Sequence, residues 1–290
     1  MAPDSPSLVV RRAALGDFVL TLPVMEALAT LGPVHVVTHA RYAPLLPPGA
    51  RIVDDAWLWA GAPAPVAYER GFAFGSIAAE ALRNAGIREV HAVPPRPPAG
   101  VHAADHYAGV LPPGLRAGPP RVTVVSDASV ADGVVIAPGS GGREKRWPLA
   151  RWLAVAQRLS LPVVWVRGPD EQEEAGWPPD AISPDLRALC ALAACCRAWL
   201  GPDSGPSHLA AAVRRGAWGG EPVLRGSGGA AAGGVAGGGE PPAPRGPASV
   251  GVVFGPTDPA NWAPPGARVF GWDTPPEALA AWVQGLPPGL

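Results

Sequence analysis

Asp203-Ser204-Gly205-Pro206-Ser207-His208 sits between a short apolar run, Ala198-Trp199-Leu200, and an alanine-rich run from Leu209 to Val213. The pattern is a strand, a tight Gly/Pro turn and the start of a helix. Ser204 or Ser207 is expected to cap that helix, and Pro206 suits its first turn, where a missing N–H costs nothing. The free N–H groups and positive dipole end of such a helix form a site for a phosphate. Asp203, just past the strand, is placed to accept hydrogen bonds from hydroxyls, and Gly205 and His208 fall on the turn and first helical turn. An ordinary strand-to-helix connection carries the same residues, so the weight falls on whether other stretches point to the same ligand.

The chain has 290 residues, which favours about two domains of ~150 residues. With 48% hydrophobic and 16% charged residues it has apolar surface for two cores. A net charge of −1 gives no electrostatic case for nucleic acid or for a strongly basic membrane-binding face. No apolar run is long enough to span a bilayer, and the N-terminus lacks a charged-then-apolar signal pattern. A soluble, intracellular protein is expected. Cys190, Cys195 and Cys196 share one alanine-rich segment without zinc-type pair spacing and read as small core residues. Lys145 is the only lysine among 23 basic residues. In an arginine-favouring chain a surviving ammonium hints at a role that a planar guanidinium does not fill.

From the N-terminus, residues 7–12 read as a strand, residues 13–17 as a turn, and residues 18–31 as a helix with Val19, Leu22, Met25 and Leu28 at helical spacing. Asp17 then falls at or near the N-cap, either as a cap or as a carboxylate at the C-terminal edge of a parallel sheet, where open α/β proteins place their chemistry. Strands at 34–38, 51–54, 71–75 and 89–93 alternate with helices at 41–46 and 77–85, which argues for a mostly parallel, doubly wound sheet. Residues 57–70 are left unassigned. A helix over 102–111 carries His102, Asp105 and His106; no further ligand is evident, and no metal is expected. Residues 112–132 are punctuated by Pro and Gly and read as a linker.

The second half begins with a strand at 133–137, followed by Pro138-Gly139-Ser140-Gly141-Gly142-Arg143-Glu144-Lys145-Arg146-Trp147-Pro148 and a helix over 149–159. Glycines that let backbone N–H groups approach, with Lys145 as a point charge, have the makings of a phosphate cradle. It is not a Walker loop, because no Ser or Thr follows the lysine. A strand at 162–166 ends at Gly168-Pro169-Asp170-Glu171, an acidic group at a strand's C-terminal end, as in ribose recognition or an acidic helix start. A helix over 184–197, a strand at 249–254 and a final helix over 275–283 complete the half. Residues 214–248, rich in Gly, Ala, Pro and Arg, read as a low-complexity disordered loop leaving the sheet edge remote from the ligand.

Four stretches together resemble one family, the lipopolysaccharide heptosyltransferases of glycosyltransferase family 9. They are Arg12-Ala13-Ala14-Leu15-Gly16-Asp17 continuing through Pro23, Pro138-Gly139-Ser140 with Glu144 to Pro148, Gly201 to Ala212, and Phe254-Gly255-Pro256-Thr257-Asp258-Pro259. The resemblance implies a GT-B fold, two Rossmann-like domains with mostly parallel sheets facing across a cleft. Residues 1–120 would form the acceptor side and 121–290 the nucleotide-sugar side, with 214–248 as an insertion and the C-terminal helix packing back on the first domain. It implies inverting, metal-independent transfer of heptose from ADP-heptose, a co-substrate rather than a cofactor, to a lipid-linked lipopolysaccharide inner-core acceptor. The protein would be cytoplasmic, with peripheral contact at the inner face of the membrane. Asp17 would be the general base. Ser140, Lys145, Ser204, Gly205 and His208 would contact the donor's phosphates, Asp203 would lie against its sugar, and Glu171 would hold the ribose, with Glu173 or Glu174 as alternates. Another nucleotide-sugar donor, or a non-catalytic nucleotide-sugar-binding paralogue, is the alternative. The chain is shorter than the family in its acceptor half, and the 214–248 tract separates motifs that the family keeps close.

Overall fold

The computed structural model describes residues 5–123, 133–171, 175–216 and 249–287. Two five-stranded sheets organise the chain. The first contains β1 (Ser7–Val10), β2 (Val34–Val37), β3 (Ala50–Ile52), β4 (Arg70–Phe74) and β5 (Glu89–Val93) in the order β3-β2-β1-β4-β5. All its pairings are parallel, with Val9 opposite Val36 on one side and Phe72 on the other. Parallel strands need crossovers, and α1 (Leu15–Ala29), α2 (Ala56–Trp59), α3 (Ser76–Asn84) and α4 (Ala103–Ala108) lie between or after them.

The second sheet contains β6 (Val134–Ile136), β7 (Val163–Trp165), β8 (Ala198–Pro202), β9 (Val250–Phe254) and β10 (Arg268–Gly271), ordered β10-β9-β8-β6-β7 and again all parallel. Its helices are α5 (Leu149–Ala156), α6 (Leu186–Cys195), α7 (Gly205–Gly216), α8 (Pro259–Trp262) and α9 (Pro276–Gln284). The first sheet has the dinucleotide-binding strand order, whereas the second reverses between β6 and β8, as flavodoxin-like sheets do. In both, the chain turns back on itself beside the strand whose C-terminal loop carries the sequence motifs. Crevices at such points are where open α/β sheets bind ligands.

One hydrophobic core crosses between the halves. Phe18, Leu22 and Met25 of α1 share it with Leu209, Ala212 and Val213 of α7. The two helices meet because their first turns carry no bulk. A Cβ on Gly205 would lie 2.8 Å from Leu15 Cβ, and one on Gly16 would lie 3.2 Å from the His208 ring. Val122, in the segment read as a linker, is buried and donates its N–H to Ala212 O (3.0 Å). The outer face of the first sheet packs Leu8, Val10 and Val37 against Leu58, Ala79 and Leu82. That of the second packs Val134, Ile136 and Leu200 against Trp147, Trp152 and Val155.

The structure corrects several expectations. α1 starts at Leu15, so Asp17 is its third residue, and Ala14 at the N-cap makes no side-chain capping bond. The C-terminal helix does not return to the first half: Leu279, Ala280 and Val283 of α9 are buried against Trp152 and Val155, and Gln284 Nε2 donates to Arg158 O (2.9 Å). Arg214 to Gly216, read as the start of the low-complexity loop, finish α7. Arg214 is buried, donating to Ser249 Oγ and the Cys196 carbonyl, so it ties the end of α7 to the start of β9. Residues 217–248, together with Glu173 and Glu174, lie outside the described residues. Cys190 and Cys196 are core residues, while Cys195 is half-buried. Burial, with Asp185 nearby, pushes the Cys190 thiol up to about 12.

Candidate active site

The loops after β1, β6 and β8 and the corner after β9 converge where α1 meets α7. Asp17 comes from the first turn of α1. Its Oδ1 accepts from Arg11 Nη2 (3.0 Å) and from the Tyr107 hydroxyl of α4 (2.8 Å). No hydrogen bond reaches its Oδ2 among the described residues, and the side chain is 33% exposed. Arg11 is buried, with its guanidinium over the Tyr107 ring (4.5 Å) and the Phe74 ring (5.0 Å). A buried guanidinium needs a paired anion, and this need draws the Asp17 carboxylate inward and away from the cap position. Burial raises the Tyr107 phenol well above its ordinary value, with Arg11 opposing and Asp17 adding to the rise, so Tyr107 remains a donor.

Opposite, Asp203 directly follows β8 and is almost fully buried. Its Oδ2 accepts from Thr257 Oγ1 (2.8 Å) and lies 3.3 Å from Lys145 Nζ, and its Oδ1 lies 3.3 Å from His208 Nε2. Desolvation raises its pKa, but the hydrogen bond and charge of His208, the Lys145 ammonium and the Thr257 hydroxyl outweigh it, and the net displacement is downward. Ser207 Oγ donates to Pro202 O (2.8 Å) and lies 3.3 Å from Ser204 Oγ. Both serines therefore brace the turn from β8 into α7 through each other and the preceding carbonyl. Pro206 lies in the first turn of α7, as expected.

Ser140 is buried beside this turn, its Oγ 3.5 Å from Asp203 O. Arg146 donates from Nε to Ser140 O (2.6 Å) and pairs through Nη2 with Glu171 Oε1 (2.9 Å). Glu171 Oε2 accepts from Gly168 N (2.8 Å). The buried Glu171 carboxyl fits only because Gly139 and Gly168 have no Cβ, which would lie 2.5 Å from its Oε2 at either position. Trp147 anchors the loop from below, donating to Trp272 O (2.8 Å).

These side chains line two adjoining cavities. One, of about 480 Å³, contains Asp17, Arg96, Lys145, Asp203, His208 and Thr257 on its walls. The other, of about 440 Å³, is lined by Arg41 and Tyr42 from the first half and by Gly139, Gly168 and Glu171 from the second. Ala14, Ser140, Gly141 and Gly205 belong to both and form the neck between them. Every predicted site residue is thus at this junction, with Asp17 and Lys145 on one cavity and Glu171 on the other. Arg11, Tyr107, Arg146 and Thr257 were missed. Only Arg146 and Thr257 lay in stretches already singled out by motif.

The histidines of the 102–106 segment have structural partners. His102 Nδ1 accepts from Ala104 N at the cap of α4, so its Nε2 donates to Ala263 O (2.9 Å) in the second half; His106 Nε2 donates to Pro94 O (2.8 Å). Among the described residues no cluster of His, Cys, Asp and Glu is arranged to hold a metal.

Two doubly wound halves sharing one cleft, with a glycine-rich loop and a helix N-terminus on one wall, make a fold of the GT-B type. Residues 126–217 match the profile of glycosyltransferase family 9 (heptosyltransferase). That match covers strands and loops of the second half, and solved structures extend the likeness in fold to the whole chain. Its fold is similar to that of E. coli ADP-heptose lipopolysaccharide heptosyltransferase II, with a TM-score of 0.69 at 17% identity over 97% of this chain and 98% of that one. It is similar also to a family 9 glycosyltransferase from Veillonella parvula (0.65, 16% identity, 93% of this chain and 86% of that one). E. coli heptosyltransferase WaaC with ADP gives 0.64 at 16% identity over 97% of this chain and 100% of that one. A search of curated proteins by sequence returned no match.

Proposed function

We propose that this protein is a family 9 glycosyltransferase that moves heptose from ADP-heptose to a saccharide of the lipopolysaccharide inner core, with inversion at the anomeric carbon. The observation that carries the proposal is the pair of cavities joined at a neck of glycines and Ser140. The nucleoside fits the cavity of Glu171, where a carboxylate can receive ribose hydroxyls. The diphosphate fits the neck, between the backbone N–H groups of the Gly139–Gly142 loop, the N-terminus of α7 and Lys145. The sugar then lies in the second cavity, between Asp203 and Asp17. Chemical support comes from two E. coli WaaC structures named for ADP and for ADP-2-deoxy-2-fluoro heptose.

In this reading the acceptor hydroxyl attacks the anomeric carbon from the Asp17 side. Its oxygen forms the new glycosidic bond, and its proton passes to Asp17 Oδ2, the oxygen left open by Arg11 and Tyr107. The bond from the anomeric carbon to the diphosphate breaks, and its electron pair leaves with ADP. Lys145 and the α7 terminus stabilise that charge where it develops. Lys145 can do so by turning from Asp203 to the phosphate, with Thr257 and His208 still holding the carboxylate.

Residues 1–120 would then serve as the acceptor half and 121–290 as the donor half. The acceptor is lipid-linked, which implies work at the cytoplasmic face of the membrane with peripheral contact. No helix among the described residues is long and apolar enough to cross it. The test is a mass-spectrometric transfer assay offering ADP-heptose beside UDP- and GDP-sugars, with ADP affinity measured on wild type and Lys145→Ala. Transfer from ADP-heptose, and ADP binding about 10- to 100-fold weaker in the variant, are expected from loss of a charged hydrogen bond. Transfer only from another nucleotide-sugar replaces the donor. Tight ADP binding without any transfer makes the protein a binding paralogue, and unchanged ADP affinity removes Lys145 from the phosphate.

A further inference from the structure

We propose that Asn261, on the donor half, is a positioning residue that fixes the acceptor wall of the site. The argument starts from Pro94-Pro95-Arg96-Pro97-Pro98, the loop between β5 and α4. Prolines have no N–H, so this loop has few backbone donors of its own: Val101 N reaches Pro98 O (3.1 Å), and the other donors come from elsewhere. Side chains supply them. Pro94 O accepts from His106 Nε2 (2.8 Å), and Pro95 O shares the Tyr107 hydroxyl (3.0 Å) with Asp17. Pro98 O and Val101 O both accept from Asn261 Nδ2 (2.6 and 2.7 Å), while Asn261 Oδ1 accepts from Gly100 N (3.2 Å). These partners also fix which way the amide faces, since the flipped form would set an oxygen against two carbonyls. Asn261 is buried, and its neighbour Ala263 accepts from His102 across the same seam.

Asn261 stands at the end of a short corner that starts from Thr257, the hydroxyl on Asp203. The loop it holds carries Arg96 into the cavity of Asp17, where Trp262 lines the same space, and it carries the Pro95 carbonyl that shares Tyr107 with the Asp17 carboxylate. The donor half therefore reaches across at this corner and sets the loop that borders Asp17. This rests on Asp17 facing the acceptor as proposed above.

The test uses Asn261→Leu, nearly isosteric but unable to hydrogen-bond, with His102→Ala as a second variant should the first fail to fold. Hydrogen exchange, ADP titration, and steady-state kinetics with ADP-heptose and a deacylated inner-core saccharide are read together. Amides of residues 95–102 should exchange faster in the variant while those of 203–208 do not. The acceptor KM should rise, or transfer fall relative to donor hydrolysis, by about tenfold or more, with ADP affinity unchanged. Unchanged exchange at 95–102, or ADP affinity falling in step with transfer, overturns the proposal. If wild type transfers nothing from ADP-heptose, the proposed function fails on its own, and exchange with ADP titration still decides Asn261.

Discussion

Asp17 has one carboxylate oxygen taken by Arg11 and Tyr107 and one left to the cavity. Asp17→Asn keeps an oxygen for both partners but removes the proposed base. Transfer is expected to fall about 10²- to 10⁴-fold, the usual contribution of a positioned base, with ADP affinity by calorimetry unchanged. Turnover like that of wild type would leave Asp17 only as the counter-charge of Arg11. Asp203 gives a second measurable consequence. Its folded pKa lies below the ordinary 3.8, so the stability it contributes is full above that value and is lost as pH falls from there through the lower folded value. Melting temperature should drop below about pH 4, and Asp203→Asn should flatten that acid limb. An identical acid limb in both proteins would show that other carboxylates carry it. Asp17, Lys145 and Asp203 were legible because each follows a strand within a distinctive local pattern. Arg11 and Tyr107 were not: Tyr107 reaches Asp17 across 90 residues of chain, a partnership that no local spacing announces.

At the level of elements, the site exists because α1 and α7 approach with glycines at their first turns. Gly205→Ala would push a methyl to 2.8 Å from Leu15 Cβ and 3.0 Å from Gly16 N, so the halves must separate locally. A destabilisation of about 1–3 kcal/mol is expected, as for overpacked cores, read by denaturant or thermal melting. Transfer should fall by more than ADP affinity, because the displaced contact lies between Asp17 and the wall proposed to hold the donor. A variant with wild-type melting and transfer would show that the close approach has no consequence. The alternation of apolar runs with Gly/Pro turns made most strands and helices legible in order. It failed on α8, a single turn, and on β10, an edge strand of which Phe270 alone is buried. Neither has enough apolar periodicity to stand out. The boundary of α1 was missed for a different reason: Ala14-Leu15-Gly16 carries no cap residue, and the helix starts there through tertiary packing against α7.

For the whole molecule, two parallel sheets in two halves followed from the repeated strand–turn–helix pattern, and the family resemblance turned them into a cleft. The return of the C-terminal helix to the first half did not follow. Leu279 and Val283 find a closer apolar surface on Trp152 and Val155 of their own half. The joined cavities, one bordered by Glu171 and the other by Asp17, could be known only once both halves were placed together. In the proposed function, donor, leaving group and base all depend on their shared neck. It is tested most directly by a crystal structure of the protein soaked with ADP-2-deoxy-2-fluoro heptose. The account predicts the diphosphate at Ser140, Lys145 and the N-terminus of α7, with Glu171 at the ribose and Asp17 Oδ2 facing the anomeric carbon on the side away from the phosphate. A sugar bound with Asp17 on the phosphate side, or out of its reach altogether, would contradict it.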